Sequence, residues 1–174
     1  MIITSIKADR FGGAAYYNSN KSVAGTAALL YTNMLGLTPK ELAFEFDAIA
    51  ARNPRVKVPA LHIIISLSPM DRAMSDIAFR MIAHAYLKEM GFSDCQAIMW
   101  RHFDTPQQHV HLLVSRVRLD GSVVPNSLNH RKNHRFSRRM EELLGLQSAA
   151  GSCPSEFGKA PAAKREFGRQ NILY

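Results

Sequence analysis

A chain of 174 residues, 47% of them apolar, is long enough to bury one core and too apolar to be disordered. No apolar run approaches the roughly 20 residues of a membrane span, and Met1-Ile2-Ile3-Thr4-Ser5-Ile6-Lys7 lacks the basic region and long apolar core of a signal peptide. The net charge of +8 is uneven: residues 115–174 hold eleven Lys/Arg against five Asp/Glu, residues 1–114 eleven against nine, so a basic third joins a near-neutral body and points to an anionic partner, most simply nucleic acid.

Along the chain, Met1 to Ala8 alternates weakly and is rich in isoleucine, which predicts a strand. Asp9-Arg10-Phe11-Gly12-Gly13 reads as a turn, Ala14 to Lys21 as a short helix carrying Tyr16 and Tyr17, and Gly25 as its breaker. Ala27 to Met34 is ambiguous, at most a short extended segment before Gly36. Thr38-Pro39-Lys40-Glu41 is a helix start, with Thr38 as cap, Pro39 at the first helical position and Glu41 completing a capping box; this helix should stop before Pro54. Pro59 to Ser68 contains the apolar run of a central strand, ended by Pro69. Ser75 caps a long helix through Met90, with Gly91 past its end. Strands follow over Gln96 to Phe103 and His109 to Arg118. Asp120-Gly121 is a hairpin-type turn into a short strand at Val123-Val124. A basic helix spans His130 to Leu144 and stops at Gly145. The boundaries are a domain over 1–146 and a basic tail over 147–174, flexible or ordered only by a partner. The 105–108 turn makes the last two long strands antiparallel neighbours, so the fold class is α+β, with helices packed on a mainly antiparallel sheet. The two cysteines, Cys95 and Cys153, form no metal or redox motif, and a reduced, cytoplasmic compartment fits best.

The segment Arg101-His102-Phe103-Asp104-Thr105-Pro106-Gln107-Gln108-His109-Val110-His111 carries the chemistry. In a strand, residues i and i+2 share a face, with α carbons roughly 6.5–7 Å apart. His109 and His111 therefore point the same way, and a hairpin folds His102 back towards them. Three imidazoles with open positions left over form the ligand set of a catalytic rather than a structural metal. Mg²⁺ or Mn²⁺ suits phosphate chemistry, although three imidazoles would also accept Zn²⁺, Ni²⁺ or Co²⁺. Asp104, two residues from His102, is placed to orient a ligand imidazole from outside the coordination sphere. His62, on an apolar strand, reads as a buried structural residue, and His84, His130 and His134 as facing solvent or nucleic acid. No Gly-rich phosphate loop, Ser-His-Asp set or paired-carboxylate pattern competes, which leaves the adjacent Tyr16 and Tyr17 as nucleophile candidates. A tyrosine that attacks phosphorus keeps the phosphodiester energy in a phosphotyrosyl bond, and the reaction can run backwards.

These pieces, in this order, resemble the relaxases of mobilisable plasmids and transposons, the mobilisation nucleases of the HUH superfamily, most closely those of Bacteroides-type elements. The resemblance is carried by Phe11-Gly12-Gly13-Ala14-Ala15-Tyr16-Tyr17-Asn18-Ser19-Asn20-Lys21, by His62-Ile63-Ile64-Ile65-Ser66-Leu67-Ser68-Pro69, by Arg101 to Asp104 and His109 to Val117, and by Asp120-Gly121, over about residues 1–145. It implies a five-stranded antiparallel sheet flanked by helices, with the histidine pair on a central strand. By motif position Tyr17 matches the catalytic tyrosine, Tyr16 is the first alternative and Tyr31 matches a second recurring tyrosine. His102, His109 and His111 match the metal triad. The chain departs from the family at Gln107, near which another histidine is common, and at Ser115, where asparagine is common. The implied activity is metal-dependent nicking of one DNA strand at a transfer origin through a 5′-phosphotyrosine, followed by re-ligation during conjugative mobilisation. The implied partners are single-stranded origin DNA and accessory mobilisation proteins; nothing in the residues speaks to oligomeric state. Arg116, Arg118, Arg131, Lys132, Arg135, Arg138 and Arg139 are the expected contacts to the DNA backbone, and Phe136 could stack on a base, although a core role suits it better. The alternatives are a replication-initiator or transposase nuclease of the same superfamily, a metal-dependent phosphoesterase that activates water, and a non-catalytic nucleic-acid-binding module with a structural ion. A tyrosine that precedes the histidine pair favours the relaxase, because in replication initiators it usually follows.

Overall fold

A computed structural model describes residues 1–125 and 130–148. The predicted tail lies outside the described residues from position 149 onward, as does Cys153. Among the described residues nine elements follow one another: β1 (Ile2–Ala8), α1 (Gly12–Val23), β2 (Ala27–Thr32), α2 (Pro39–Ala50), β3 (Ala60–Ser66), α3 (Asp76–Met90), β4 (Cys95–His102), β5 (His109–Arg118) and α4 (His130–Leu144). The strands form one sheet in the order β1-β3-β5-β4-β2. Every pairing in it is antiparallel, so the fold is α+β with a wholly antiparallel five-stranded sheet.

Local chemistry accounts for most boundaries. Thr38 accepts from the Glu41 backbone N–H while the Glu41 carboxylate accepts from the Thr38 N–H, which is the predicted capping box. Ser75 caps α3 through the Ala78 N–H, and Gly91 ends it at φ +82°, a left-handed position that glycine adopts without a Cβ penalty. α1 begins two residues earlier than expected, because Gly12 and Gly13 form its first turn rather than a separate one. Ala27–Thr32, ambiguous alone, becomes the edge strand β2 by pairing with β4.

Gly36 is fixed by close approach rather than by φ. A Cβ there would lie 2.8 Å from the Leu42 backbone nitrogen and 3.0 Å from the Glu41 carbonyl carbon, neither of which can step aside. Gly36→Ala is therefore expected to destabilise the fold by about 1–3 kcal/mol, read by denaturant unfolding. A wild-type midpoint and slope would show that the loop yields.

The sheet has two differently covered faces. One carries Leu61, Ile63, Ile65, Ala97, Met99, Val110, Leu112 and Val114, and α3 and α4 seal it with Phe79, Tyr86, Phe136 and Met140. The other carries Ile98, Trp100 and Leu113 beneath Phe11 and Ala15 of the α1 region and Leu42 and Phe46 of α2. Phe11 and Phe46 stack with ring centroids 4.2 Å apart, which anchors the start of α1 to α2. On this second face α1 and α2 stop short of the β1 side: Ile2 and Ile6, which pair with Ser66 and His62, are 37% and 48% exposed. The boundary between the covered and open halves is where the histidines lie. Among the described residues no helix is long and apolar enough to cross a membrane.

Candidate active site

The β4–β5 hairpin builds the centre. His102 ends β4 and pairs directly with His109, which begins β5, while His111 pairs with Trp100. Residues opposite one another in an antiparallel pair share a face, so all three imidazoles emerge together. The His102 and His111 rings stack with centroids 3.9 Å apart, and His109 lies 5.3 Å and 5.2 Å from them. One ligand nitrogen from each can lie within 4.8 Å of the others. His102 and His111 are buried, and the His109 side chain is 11% exposed, so the cluster opens at the His109 rim.

The donor set fits a divalent cation. The His102 Nδ1 is buried with no hydrogen-bond partner, which is costly for a polar atom unless something else uses its lone pair. Burial pushes the His111 imidazole down to about 3, with the three neighbouring histidines adding to the shift, and lowers that of His102 as well. Both rings are therefore neutral near pH 7, the form in which imidazole binds a metal.

The outer nitrogens are occupied. His102 Nε2 lies 2.7 Å from Asn18 Oδ1, His109 Nδ1 lies 2.8 Å from the Gln107 carbonyl oxygen, and His111 Nδ1 lies 2.7 Å from His62 Nε2. Metal-bound histidines are commonly braced in this way. Asp104 is not one of these braces, in contrast to the role expected from its position in the sequence. Its Oδ1 faces the inner nitrogens, 3.7 Å from His102 Nδ1 and 3.8 Å from His109 Nε2, and its Oδ2 accepts from Lys21 Nζ at 2.8 Å. The bond from Lys21 holds the Asp104 carboxyl below the ordinary carboxylate range and raises the Lys21 ammonium.

Of the three tyrosines, Tyr17 stands at this cluster. Its ring centroid is 6.0 Å from His102 and 6.3 Å from His111, and it is 47% exposed, within reach of both the centre and solvent. Lys21, one turn later on the same face of α1, holds its ammonium 5.7 Å from the Tyr17 ring centroid. Tyr16 is turned about 100° around the helix from Tyr17 and is also exposed. Tyr31 packs against the core on the opposite face of the sheet, where it meets His84 of α3 edge to face with centroids 4.7 Å apart.

The arginines expected to contact DNA are scattered. Arg116 is 7% exposed, and its guanidinium donates to the Val58 and Val124 carbonyls, which makes it a structural residue rather than a backbone contact. Arg118 donates to Ser122 Oγ and the Gly91 carbonyl, Arg138 pairs with Glu141, and Arg139 pairs with Glu89. Arg131, Lys132 and Arg135 are exposed on α4, which lies on the face opposite the histidines. Phe136 is fully buried against Tyr86 and takes the core role. His84, His130 and His134 are exposed, as expected.

Reasoning from sequence did not assign site roles to Asn18, Lys21 and His62, although all three lie inside the strings that carry the resemblance. Lys21 at i+4 from Tyr17 had a helical signal. His62 and Asn18 had none, since their partners are 49 and 84 residues away.

Residues 17–146 match the family model described as relaxase, MobA/VirD2-like, nuclease domain. A search of curated proteins returned no match.

Proposed function

The chain belongs to the MobA/VirD2-like relaxase family, whose nuclease domain covers most of it, and from that membership we propose a tyrosine-dependent strand transferase acting on single-stranded DNA. The observation that carries the reading is Tyr17, half exposed and about 6 Å ring to ring from two members of a three-histidine cluster. The Tyr17 phenolic oxygen attacks one phosphorus of the bound strand, the bond to the 3′ oxygen breaks, and the products are a 5′-phosphotyrosine and a free 3′-hydroxyl. The phenol loses its proton and the departing oxygen gains one. Attack by the same 3′-hydroxyl, or that of another strand, restores the phosphodiester and frees Tyr17. A divalent cation held by His102, His109 and His111, Mg²⁺ or Mn²⁺ for this chemistry, would polarise the non-bridging oxygens of the attacked phosphate.

The chain's own residues do the rest. The hairpin presents three imidazoles on a rigid central strand pair, where sub-ångström placement is easiest to hold. Lys21 brings a positive charge beside both the phenol and the phosphate position. Asp104 keeps that ammonium in place in the absence of DNA. Ile2, Thr4, Ile6 and Ile64 line the open half of the same sheet face, a surface on which DNA next to the cut can lie. Transfer-origin processing during conjugative mobilisation is the biological role that fits this reaction, with accessory mobilisation proteins as further partners. The family match favours this role over a replication-initiator or transposase nuclease.

The test uses the full chain, Mn²⁺ or Mg²⁺, and a library of single-stranded oligonucleotides labelled at the 3′ end. The label should shift to a protein-linked band that survives denaturing gels. Metal-dependent cleavage with no such band would mean that water, not tyrosine, attacks.

The placement of α4 gives a separate expectation. Its exposed basic residues are on the far side of the sheet, so the double change Arg131→Ser/Arg135→Ser should leave cleavage of a short oligonucleotide unchanged. With long origin DNA, every phosphate that the variant no longer neutralises should reduce the slope of log K against log salt by about 0.7. Strongly impaired cleavage of the short substrate would place α4 at the cut.

A further inference from the structure

Resting on the reading of this centre as a metal–tyrosine site, we propose that Asn18 is a positioning residue: it makes His102 an Nδ1 donor, unlike its partner His109, and locks the nucleophile's helix to the metal triad.

The Asn18 amide can sit only one way. Asn18 is fully buried, and its Nδ2 lies 2.7 Å from the Ala14 carbonyl oxygen one helical turn back. A carbonyl only accepts, so the reversed amide would set two oxygens against each other at that distance. The Oδ1 therefore faces His102 Nε2, 2.7 Å away, and Oδ1 also only accepts. The proton of His102 is consequently on Nε2. Its Nδ1 carries a bare lone pair, since an N–H there would be buried with its nearest acceptor, Asp104 Oδ1 at 3.7 Å, beyond hydrogen-bond reach. That lone pair is the unpartnered buried atom of the cluster.

His109 is fixed in the opposite sense. Its Nδ1 lies 2.8 Å from the Gln107 carbonyl, so Nδ1 carries the proton and Nε2 is the free donor. The two histidines that face each other across the hairpin thus offer different nitrogens, His102 through Nδ1 and His109 through Nε2. Asp104 Oδ1 lies within 3.8 Å of both of these atoms, which marks the side on which they converge.

Asn18 also does what a brace on a strand could not. It is the residue after Tyr17 on α1, so the bond that fixes the His102 tautomer also fixes how far Tyr17 stands from the cluster. A single side chain couples the attacking group to the triad that would hold the cation. Asparagine suits the position because it needs an acceptor for His102 and a donor for Ala14 at once. Leucine of similar size supplies neither, and aspartate supplies only the acceptor.

Two measurements test this. In the metal-free wild-type protein, long-range proton–nitrogen correlation spectra of the histidine rings should show His102 protonated on Nε2 and His109 on Nδ1. A His102 protonated on Nδ1 overturns the proposal. Calorimetric titration with Mn²⁺ should then show Asn18→Leu binding roughly 10–100-fold more weakly, and Asn18→Asp restoring part of the loss, since it keeps the acceptor for His102 but sets an oxygen against the Ala14 carbonyl. For the folded Leu variant, adduct formation should fall in kcat with little change in the KM for oligonucleotide. Equal Mn²⁺ affinity in the wild type and the Leu variant sinks the role of Asn18 alone. Failure of the wild type to bind Mn²⁺ sinks the metal reading on which it rests, a different result from the tautomer one.

Discussion

Tyr17→Phe is expected to abolish the covalent protein–DNA product, lowering adduct formation on the order of 10⁴-fold or more, while Tyr16→Phe and Tyr31→Phe retain it. The change removes one oxygen and keeps the ring, so the 6.0 Å and 6.3 Å ring contacts to His102 and His111 survive. Tyr17 is 47% exposed, so the core stays intact. A nucleophile's oxygen has no substitute in its own covalent step, which is why the expected loss is large. Binding of uncleaved oligonucleotide should persist, and that separates loss of chemistry from loss of fold. Tyr31 cannot stand in, because burial on the opposite sheet face raises its phenol above the ordinary value and keeps it beside His84 rather than the triad. Tyr16 is exposed but points elsewhere around the helix. An adduct that persists in Tyr17→Phe and disappears in Tyr16→Phe would mean that α1 turns on binding DNA.

How much of this was legible without coordinates depended on whether the signal was local. The capping box at Thr38 and Glu41 and the Ser75–Gly91 bracket around α3 rest on nearby residues of the chain, and both helices follow them. The His109–His111 spacing needs only strand periodicity. The position of His102 needs a hairpin, and the turn residues between the strands supplied it. β2 was not legible because Ala27-Ala28-Leu29-Leu30-Tyr31-Thr32 suits helix and strand alike, and its state is set by β4 alongside it. Arg116 was misplaced by its charge. Strand alternation held the correction: residues 110, 112 and 114 share its side of β5, and all three are buried valine or leucine. Asn18 and His62 illustrate the physical limit. Each is read only through a hydrogen bond to a histidine far along the chain, and one sequence does not record which distant residue a polar side chain will meet.

His109→Ala should weaken Mn²⁺ binding by more than the ~10–100-fold that loss of an outer hydrogen-bond partner brings, and adduct formation should fall with it. His109 is the most informative of the three histidines to remove. His111 is sandwiched between the stacked His102 ring and His62 in the middle of the sheet, and His102 is buried beneath α1, so truncating either leaves a hole or an unpaired polar atom in the fold. His109 is at the rim, and its own brace is a backbone carbonyl that solvent can satisfy once the ring is gone. The variant should therefore melt close to the wild-type temperature while it loses the metal. Two imidazoles would remain, one held through Nε2 by Asn18 and one braced by His62, and two ligands on a half-open face hold a hard divalent ion poorly. Excess Mn²⁺ should recover part of the adduct yield, because added ion offsets weaker binding by mass action. Unchanged Mn²⁺ affinity in His109→Ala would remove this histidine from the coordination sphere and leave the nucleophile without the triad beside it.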